Sequence, residues 1–239
     1  MTDAAAQQRL PLFPLGSTLC PGAQLHLRVF EPRYVRLVED LRRADGPADF
    51  GVVAIRAGHE VGVGAVRELY DIGCVARLEG LEPTSPGGPV AYRLRARGIE
   101  RFRLDGLDPS PETPYLTGIV SRVADLDGGT PQQLAEAAAS VRAALAAYRE
   151  LVRVPLEVGP ELSAQQRADP LTALTPARLA YLVADAVVLE VVDRQGILSA
   201  ATTLDRLHIG RAMVRREIAL LRRLHVVPRA FQPGPSAPN

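Results

Sequence analysis

The 239-residue chain contains no lysine; all 28 of its basic residues are arginine. Every mechanism that needs a lysine amine is thereby excluded, which removes the P-loop, Schiff-base chemistry and the Ser-Lys hydrolytic dyad. Cysteine is scarce as well. Cys20 and Cys74 lie far apart in apolar surroundings and neither forms a C-x-x-C pair. Buried, inert thiols are expected, with no structural zinc site and no disulfide framework, as suits a reducing cytoplasm. No apolar run approaches the roughly 18 residues of a membrane span, and the first residues carry no apolar core of a secretion signal, so the protein reads as cytoplasmic. The formal charge of +1 gives no global reason to expect nucleic acid or a membrane as partner.

Other chemistry is missing by motif. His59-Glu60 would open H-E-x-x-H, but position 63 is Val and glycines surround it. Gly62-Val63-Gly64 lacks the third glycine of a dinucleotide fingerprint, Arg67 standing in its place, and reads as a glycine-rich hairpin loop. No G-x-S-x-G elbow occurs, and His26, His59, His208 and His225 show no metal-ligand spacing. No catalytic residue, metal or cofactor is expected.

What is present is an ordinary globular composition, 47% hydrophobic and 23% charged, enough for one large domain or two small ones. The organising stretch is Leu25 to Tyr34. Leu25, Leu27 and Val29 alternate with His26, Arg28 and Phe30 as in a half-buried strand; Pro32 then starts a helix carrying Val35, Leu37, Val38 and Leu41. Leu10 to Leu15, with two prolines, suits an edge strand or irregular extended segment. Phe50 to Ile55 reads as a buried strand. Tyr70 to Leu81 and Val90 to Leu104 read as longer strands around a Pro/Gly-rich loop, with Val90, Tyr92, Leu94 and Ala96 on one face and Arg93, Arg95 and Arg97 on the other. Gly98 marks a bulge. Tyr115 to Val123 is a further strand, with Tyr115, Ile119 and Val123 on one face.

After Asp125 to Gly129 the period changes. Thr130-Pro131-Gln132-Gln133 is a capping box opening a long helix with Leu134, Val141, Leu145, Tyr148 and Val152 inside. Thr175-Pro176 starts another, holding Leu179, Leu182, Val183, Ala186 and Val187. Thr202 with Asp205 starts a third, with Leu207, Val214, Ile218 and Leu221 on one face, and a short helix is expected around Gly196 to Ala200. The fold class is α+β: an N-terminal curled antiparallel β-sheet, a pseudo-barrel with one inserted helix, then a C-terminal α-helical bundle. The expected division is a disordered tail at 1–9, a β-rich part at 10–126, a bundle at 127–227 and a disordered Pro-rich tail at 228–239.

Val29-Phe30-Glu31-Pro32-Arg33-Tyr34 is the most distinctive part of a longer pattern. It follows Leu10-Pro11-Leu12-Phe13-Pro14-Leu15 and Cys20-Pro21-Gly22, and precedes Phe50-Gly51-Val52-Val53, Asp71-Ile72-Gly73-Cys74-Val75-Ala76 and Arg97 to Arg103. Asp193 to Leu198 and Asp205-Arg206-Leu207 complete it. Together they resemble the N-terminal, substrate-binding domain family of Lon proteases over roughly residues 10 to 225. Cys20 stands where that family has a Phe, and Arg28 where a small polar residue or His is usual. Lon proteases join such a domain to ATPase and Ser-Lys protease modules, neither of which a lysine-free chain can hold.

The resemblance implies a stand-alone, non-catalytic polypeptide-binding or adaptor protein that holds exposed apolar segments of unfolded or damaged proteins, with a separate protease as a further partner and the junction of sheet and bundle as a natural place for the site. Phe30, Glu31, Arg33, Tyr34 and Tyr70 are the candidate binding residues. Read plainly, Glu31 satisfies amides at the helix start, Arg33 ties the corner to the sheet, and Phe30 and Tyr34 are core. A second reading is a small-metabolite enzyme using Glu31, Arg33 and Arg101. A third makes Arg93, Arg95, Arg97, Arg101 and Arg103 a nucleic-acid stripe, against a solvated face partly paired with Glu79, Glu82 and Glu100; the interleaved aromatics that base stacking needs are missing.

Overall fold

A computed structural model describes residues 7–60, 66–84, 90–109, 112–152 and 170–224. Val63, Gly62, Gly64, His225, the expected Pro-rich tail and most of the expected N-terminal tail lie outside them. The chain divides into two compact units between Ala124 and Asp125.

The first unit contains β1 (Gln8–Leu15), β2 (Gln24–Val29), α1 (Pro32–Arg43), β3 (Asp49–Gly58), β4 (Val66–Leu69), β5 (Ile72–Pro83), β6 (Tyr92–Leu107) and β7 (Thr117–Val123). Their order is β1-β7-β6-β5-β3-β4, with β2 added to β6. Strand β1 begins at Gln8, inside the expected tail. It is also not an edge strand. Gln8 to Pro11 pair antiparallel with β7, and Leu12 to Leu15 pair with β3, the one parallel strand pairing among the described residues of the sheet. β1 thus closes the sheet into a pseudo-barrel. Each half of it ladders on one side only, so Pro11 and Pro14 are tolerated as they would be on an edge.

The run Phe50 to Ala54 is buried throughout because both faces of the sheet are covered. Phe13, Phe50, Val52 and Leu94 pack with Tyr34, Leu37, Val38 and Leu41 of α1, whereas Leu10, Leu12, Val53 and Val120 gather around Phe102 on the other face. The expected bulge lies at Ile99, where the β5 pairing jumps from Gly98 to Glu100. The extra residue inverts the phase of β6, so Arg101, expected on the solvated stripe, is 2% exposed and donates from Nη2 to the Ala124 carbonyl at 3.0 Å. In β7 the buried residues are Gly118 and Val120, the set opposite to the expected Ile119 and Val123; Tyr115 is buried but precedes the strand. Cys20 and Cys74 are both buried and are not joined in a disulfide.

The second unit contains α2 (Pro131–Val152), α3 (Pro170–Ala173), α4 (Pro176–Ala186), α5 (Val191–Ser199) and α6 (Thr203–Leu224). The capping box closes reciprocally, Gln133 N–H to Thr130 Oγ1 at 3.2 Å and Thr130 N–H to Gln133 Oε1 at 2.8 Å. Thr175 Oγ1 accepts from Arg178 N–H and Thr202 Oγ1 from Asp205 N–H, so each long helix starts where its cap stands. Leu134, Val141, Leu145 and Tyr148 of α2 are buried, as are Leu179 and Val183 of α4 and Leu207 and Val214 of α6. Helix α5 starts at Val191, five residues before the expected Gly196. Among the described residues no helix is long and apolar enough to cross a membrane.

Candidate functional site

The turn from β2 into α1 is built by alternation on one side and proline on the other. Val29 is buried, Phe30 points out at 39% exposed, and Pro32 takes the first helical position with Glu31 extended at φ −66° and ψ 132°. Among the described residues Phe30 is the one exposed aromatic. It stands between two hollows. The first, about 50 Å³, lies between the end of β1 and β2, with Phe13, Leu15, Leu27 and Tyr34 among its walls. The second is an open groove of about 340 Å³ lined by Phe30, Pro32, Val35, Arg36, Glu39 and Val90.

The polar rim of that groove is occupied with its own partners. Glu39 accepts from Tyr92 Oη at 3.2 Å and pairs with Arg43, and Arg36 pairs with Asp40 at 2.9 Å. The apolar floor is therefore what the groove offers. Val90, expected to turn inward with Tyr92, is 57% exposed and forms one wall.

Four of the five expected binding residues come together, and they do different jobs. Glu31 does not cap α1: its side chain makes no capping bond and pairs instead with Arg33 at 2.9 Å. Arg33 also donates to the Glu60 carbonyl at 2.9 Å and lies 4.5 Å over the Tyr34 ring, which ties the corner to the end of β3. Glu60 in turn accepts from the Gly16 N–H through Oε1. Tyr34 is buried and stacks on Phe13 with centroids 4.1 Å apart. Tyr70 stands apart. It is half-buried between β4 and β5, and its N–H goes to the Ala54 carbonyl at 3.0 Å.

The sequence reading missed Phe13, Glu60 and the groove role of Val35 and Val90; no local period joins residues so far apart in the chain. The carboxylate and arginine site does not assemble as an active centre, because Glu31 and Arg33 neutralise each other and Arg101 is held at the Ala124 carbonyl. Among the described residues no cluster of His, Cys, Asp and Glu is placed to hold a metal.

Burial pushes the Tyr34 phenol from 10.0 up to about 12, against the lowering pull of Arg33 and with Glu31 and Glu60 adding to the rise. A raised folded value means that stability is complete below pH 10 and declines as pH climbs toward 12, by about 2–3 kcal/mol in all. Alkaline ultraviolet titration should show Tyr34 ionising near pH 12, with Tyr115 and Tyr148 also held above the ordinary phenol value by burial, and Tyr34→Phe should remove the step near pH 12. Ionisation of every tyrosine near pH 10 would contradict the buried stack.

The sequence profile described as the ATP-dependent protease La (LON) substrate-binding domain matches residues 9–216. Lon protease 2 of Myxococcus xanthus is 30% identical over 216 residues, which are 90% of this chain and 24% of that protein. Lon protease 2 of Sorangium cellulosum is also 30% identical, over 217 residues, 89% of this chain and 25% of that protein. The chain thus spans about a quarter of the length of these relatives. Among solved structures, a Lon N-terminal domain protein from Xanthomonas campestris aligns with a TM-score of 0.57 and 26% identity, covering 84% of this chain and 95% of that one. The N-terminal domain of the Mycobacterium avium complex Lon protease aligns with a TM-score of 0.62 at 15% identity, covering 87% and 98%, and shares the fold. By its sequence and by its pseudo-barrel with a following bundle, the chain belongs to the Lon substrate-binding domain family.

Proposed function

We propose that this chain is a non-catalytic polypeptide-binding module that holds exposed apolar segments of unfolded or damaged proteins at the Phe30 groove. The observation that carries this reading is Phe30 itself. In a chain with 5% aromatics, every other aromatic among the described residues is buried or half-buried, while Phe30 is held out by a corner braced through Glu31, Arg33 and Tyr34. An exposed aromatic on a rigid base, between apolar walls, is the usual form of a binding anchor. Lon-type cleavage of a bound client needs catalytic residues beyond these 239, since a lysine-free sequence supplies neither a Walker lysine nor a Ser-Lys dyad. A separate protease is the partner that fits.

The test is fluorescence anisotropy against a labelled, permanently unfolded polypeptide and its folded counterpart, at low and moderate salt, with gels run in parallel. The unfolded form should bind selectively and remain uncut. Phe30→Ser should weaken binding about thirtyfold, the loss that an anchor of about 2 kcal/mol gives, with no fall in Tm. Unchanged affinity of that variant would remove the groove from the binding surface; equal binding of folded and unfolded forms would remove the function.

A further inference from the structure

Beside the Phe30 groove, the outer face of β2 and β6 gathers positive charge that the fold leaves uncompensated. Arg28 stands directly opposite Arg93 in the register, and His26 opposite Arg95; all four side chains are exposed. Like charges directly opposite destabilise a sheet. On the same strands and their neighbours other arginines are paired, Arg97 with Glu79 and Arg77 with Asp49, each at 2.8 Å. Among the described residues, Arg28, Arg93 and Arg95 make no ion pair. Glu82, opposite Arg93 on β5, is the nearest carboxylate in the register and does not close one, and the Arg95 guanidinium lies against Gly80.

The same strand has a free edge. Gly98 N–H donates to the Ala23 carbonyl at 2.9 Å, which sets the phase of the β2–β6 ladder. Hydrogen-bonded pairs recur at every second residue, so Leu25, Leu27 and Val29 turn their backbone groups to β6, and His26 and Arg28 turn theirs outward. Among the described residues no backbone group answers them. An open edge of this kind accepts an extended chain as an added strand.

Building on the proposed polypeptide-binding function, we infer that the client segment is acidic as well as apolar, and that it lies extended along β2 with an apolar side chain in the Phe30 groove and carboxylates facing Arg28 and Arg93. Side chains two apart share a face of a strand, so carboxylates at alternate positions stand beside His26 and Arg28 on β2, with Arg93 and Arg95 one strand further on the same face. Single-stranded nucleic acid fits less well, because the one exposed aromatic among the described residues cannot supply a stacking platform.

The experiment uses three fluorescein-labelled peptides that share an apolar quartet, Leu-Val-Phe-Leu, followed by alternating Asp and Ser, Gln and Ser, or Lys and Ser. The Asp peptide should bind about tenfold tighter than the Gln peptide, from a cross-strand contact with Arg28 reinforced by the charge of Arg93 behind it. Arg28→Glu with Arg93→Glu, both at exposed positions and checked by circular dichroism, should reverse the order in favour of the Lys peptide. Methylating alternate backbone amides of the Asp peptide should weaken it by a similar factor. Equal binding of Asp and Gln peptides would overturn the charge preference; if Phe30→Ser still weakened both, the apolar function would stand without it. Tolerated methylation would overturn strand addition. Oligothymidylate competing as well as the Asp peptide would make the face a general anion surface and overturn the assignment to polypeptide. Binding of none of the three would overturn this inference, and failure of the unfolded polypeptide in the same assay would overturn the function beneath it.

Discussion

Gly98→Ala is expected to lower the unfolding free energy of the β-rich unit by about 3 kcal/mol, the range of an overpacked core combined with a weakened hydrogen-bond pair. Gly98 sits at the bulge of β6, where the turn Cys20 to Ala23 crosses it. Its N–H goes to the Ala23 carbonyl at 2.9 Å and its carbonyl accepts from Gly22 N–H at 2.6 Å. A Cβ at this position would press into the Cys20 carbonyl, 3.0 Å from its carbon, and stand 3.1 Å from Cys74 Sγ. The first obstacle is backbone and the second a fully buried thiol, so neither swings aside as an exposed side chain would. Relief requires the turn to lift away from the strand that β2 pairs with. Gly106→Ala, on the same strand with nothing within 4 Å of its added Cβ, is the control and should change stability by no more than about 0.5 kcal/mol. Urea unfolding of the three proteins decides it. A loss below about 1 kcal/mol for Gly98→Ala would show that the turn yields at little cost, and that the bulge tolerates a side chain.

The contrast between these two glycines also shows where sequence alone runs out. Gly98 and Gly106 look alike in the chain, and only the crossing turn, some 75 residues earlier in sequence, separates them. Features set within a few residues were legible: the switch at Pro32, the caps at Thr130, Thr175 and Thr202, and the buried stripes of α2 and α6. Each depends on a proline, a hydroxyl or a period of 3.6 acting on neighbours. The partner exchange of β1 was not legible, because it is decided by which strands stand on either side, and two prolines describe an edge without saying how many edges there are. A single extra residue at Ile99 turned Arg101 from a surface charge into a buried one, since a period of two has no tolerance for an insertion. Of the corner between β2 and α1, Phe30 to Tyr34 could be singled out from the switch of strand to helix and from the family resemblance. That Glu31 would face Arg33 and leave the helix amides alone could not, because a carboxylate in that place can do either.

Arg206→Ala should be the more damaging change in the helical unit, at about 3 kcal/mol. Arg206 carries a guanidinium that is fully buried and held on several sides. Nη2 pairs with Asp125 at 3.0 Å and donates to Thr203 Oγ1 at 3.1 Å, Nη1 donates to the Ala200 carbonyl at 3.1 Å, and the group lies 4.7 Å over the Tyr181 ring. Tyr181 Oη in turn donates to Asp125 Oδ1 at 2.6 Å. Truncation strips Asp125 of its cation, Ala200 and Thr203 of a donor, and the ring of its cover. Asp125 is 39% exposed, so water takes back part of its charge, which places the loss at the lower end for a broken buried pair. Tyr181→Phe removes one hydrogen bond and should cost about 1 kcal/mol. The more telling variant is Arg206→Lys. A lysine keeps the charge but offers a compact ammonium where the site uses a planar fork, with one arm for a carbonyl, one for a carboxylate and a face for an aromatic ring; it should recover less than half of the loss. Urea unfolding followed by far-ultraviolet circular dichroism reads all three variants. Full recovery by lysine would show that charge alone stabilises the site, and that the chain's exclusive use of arginine has no structural root here. Partial recovery would tie that use to geometry at one of the two arginines, Arg101 and Arg206, that the fold buries among the described residues.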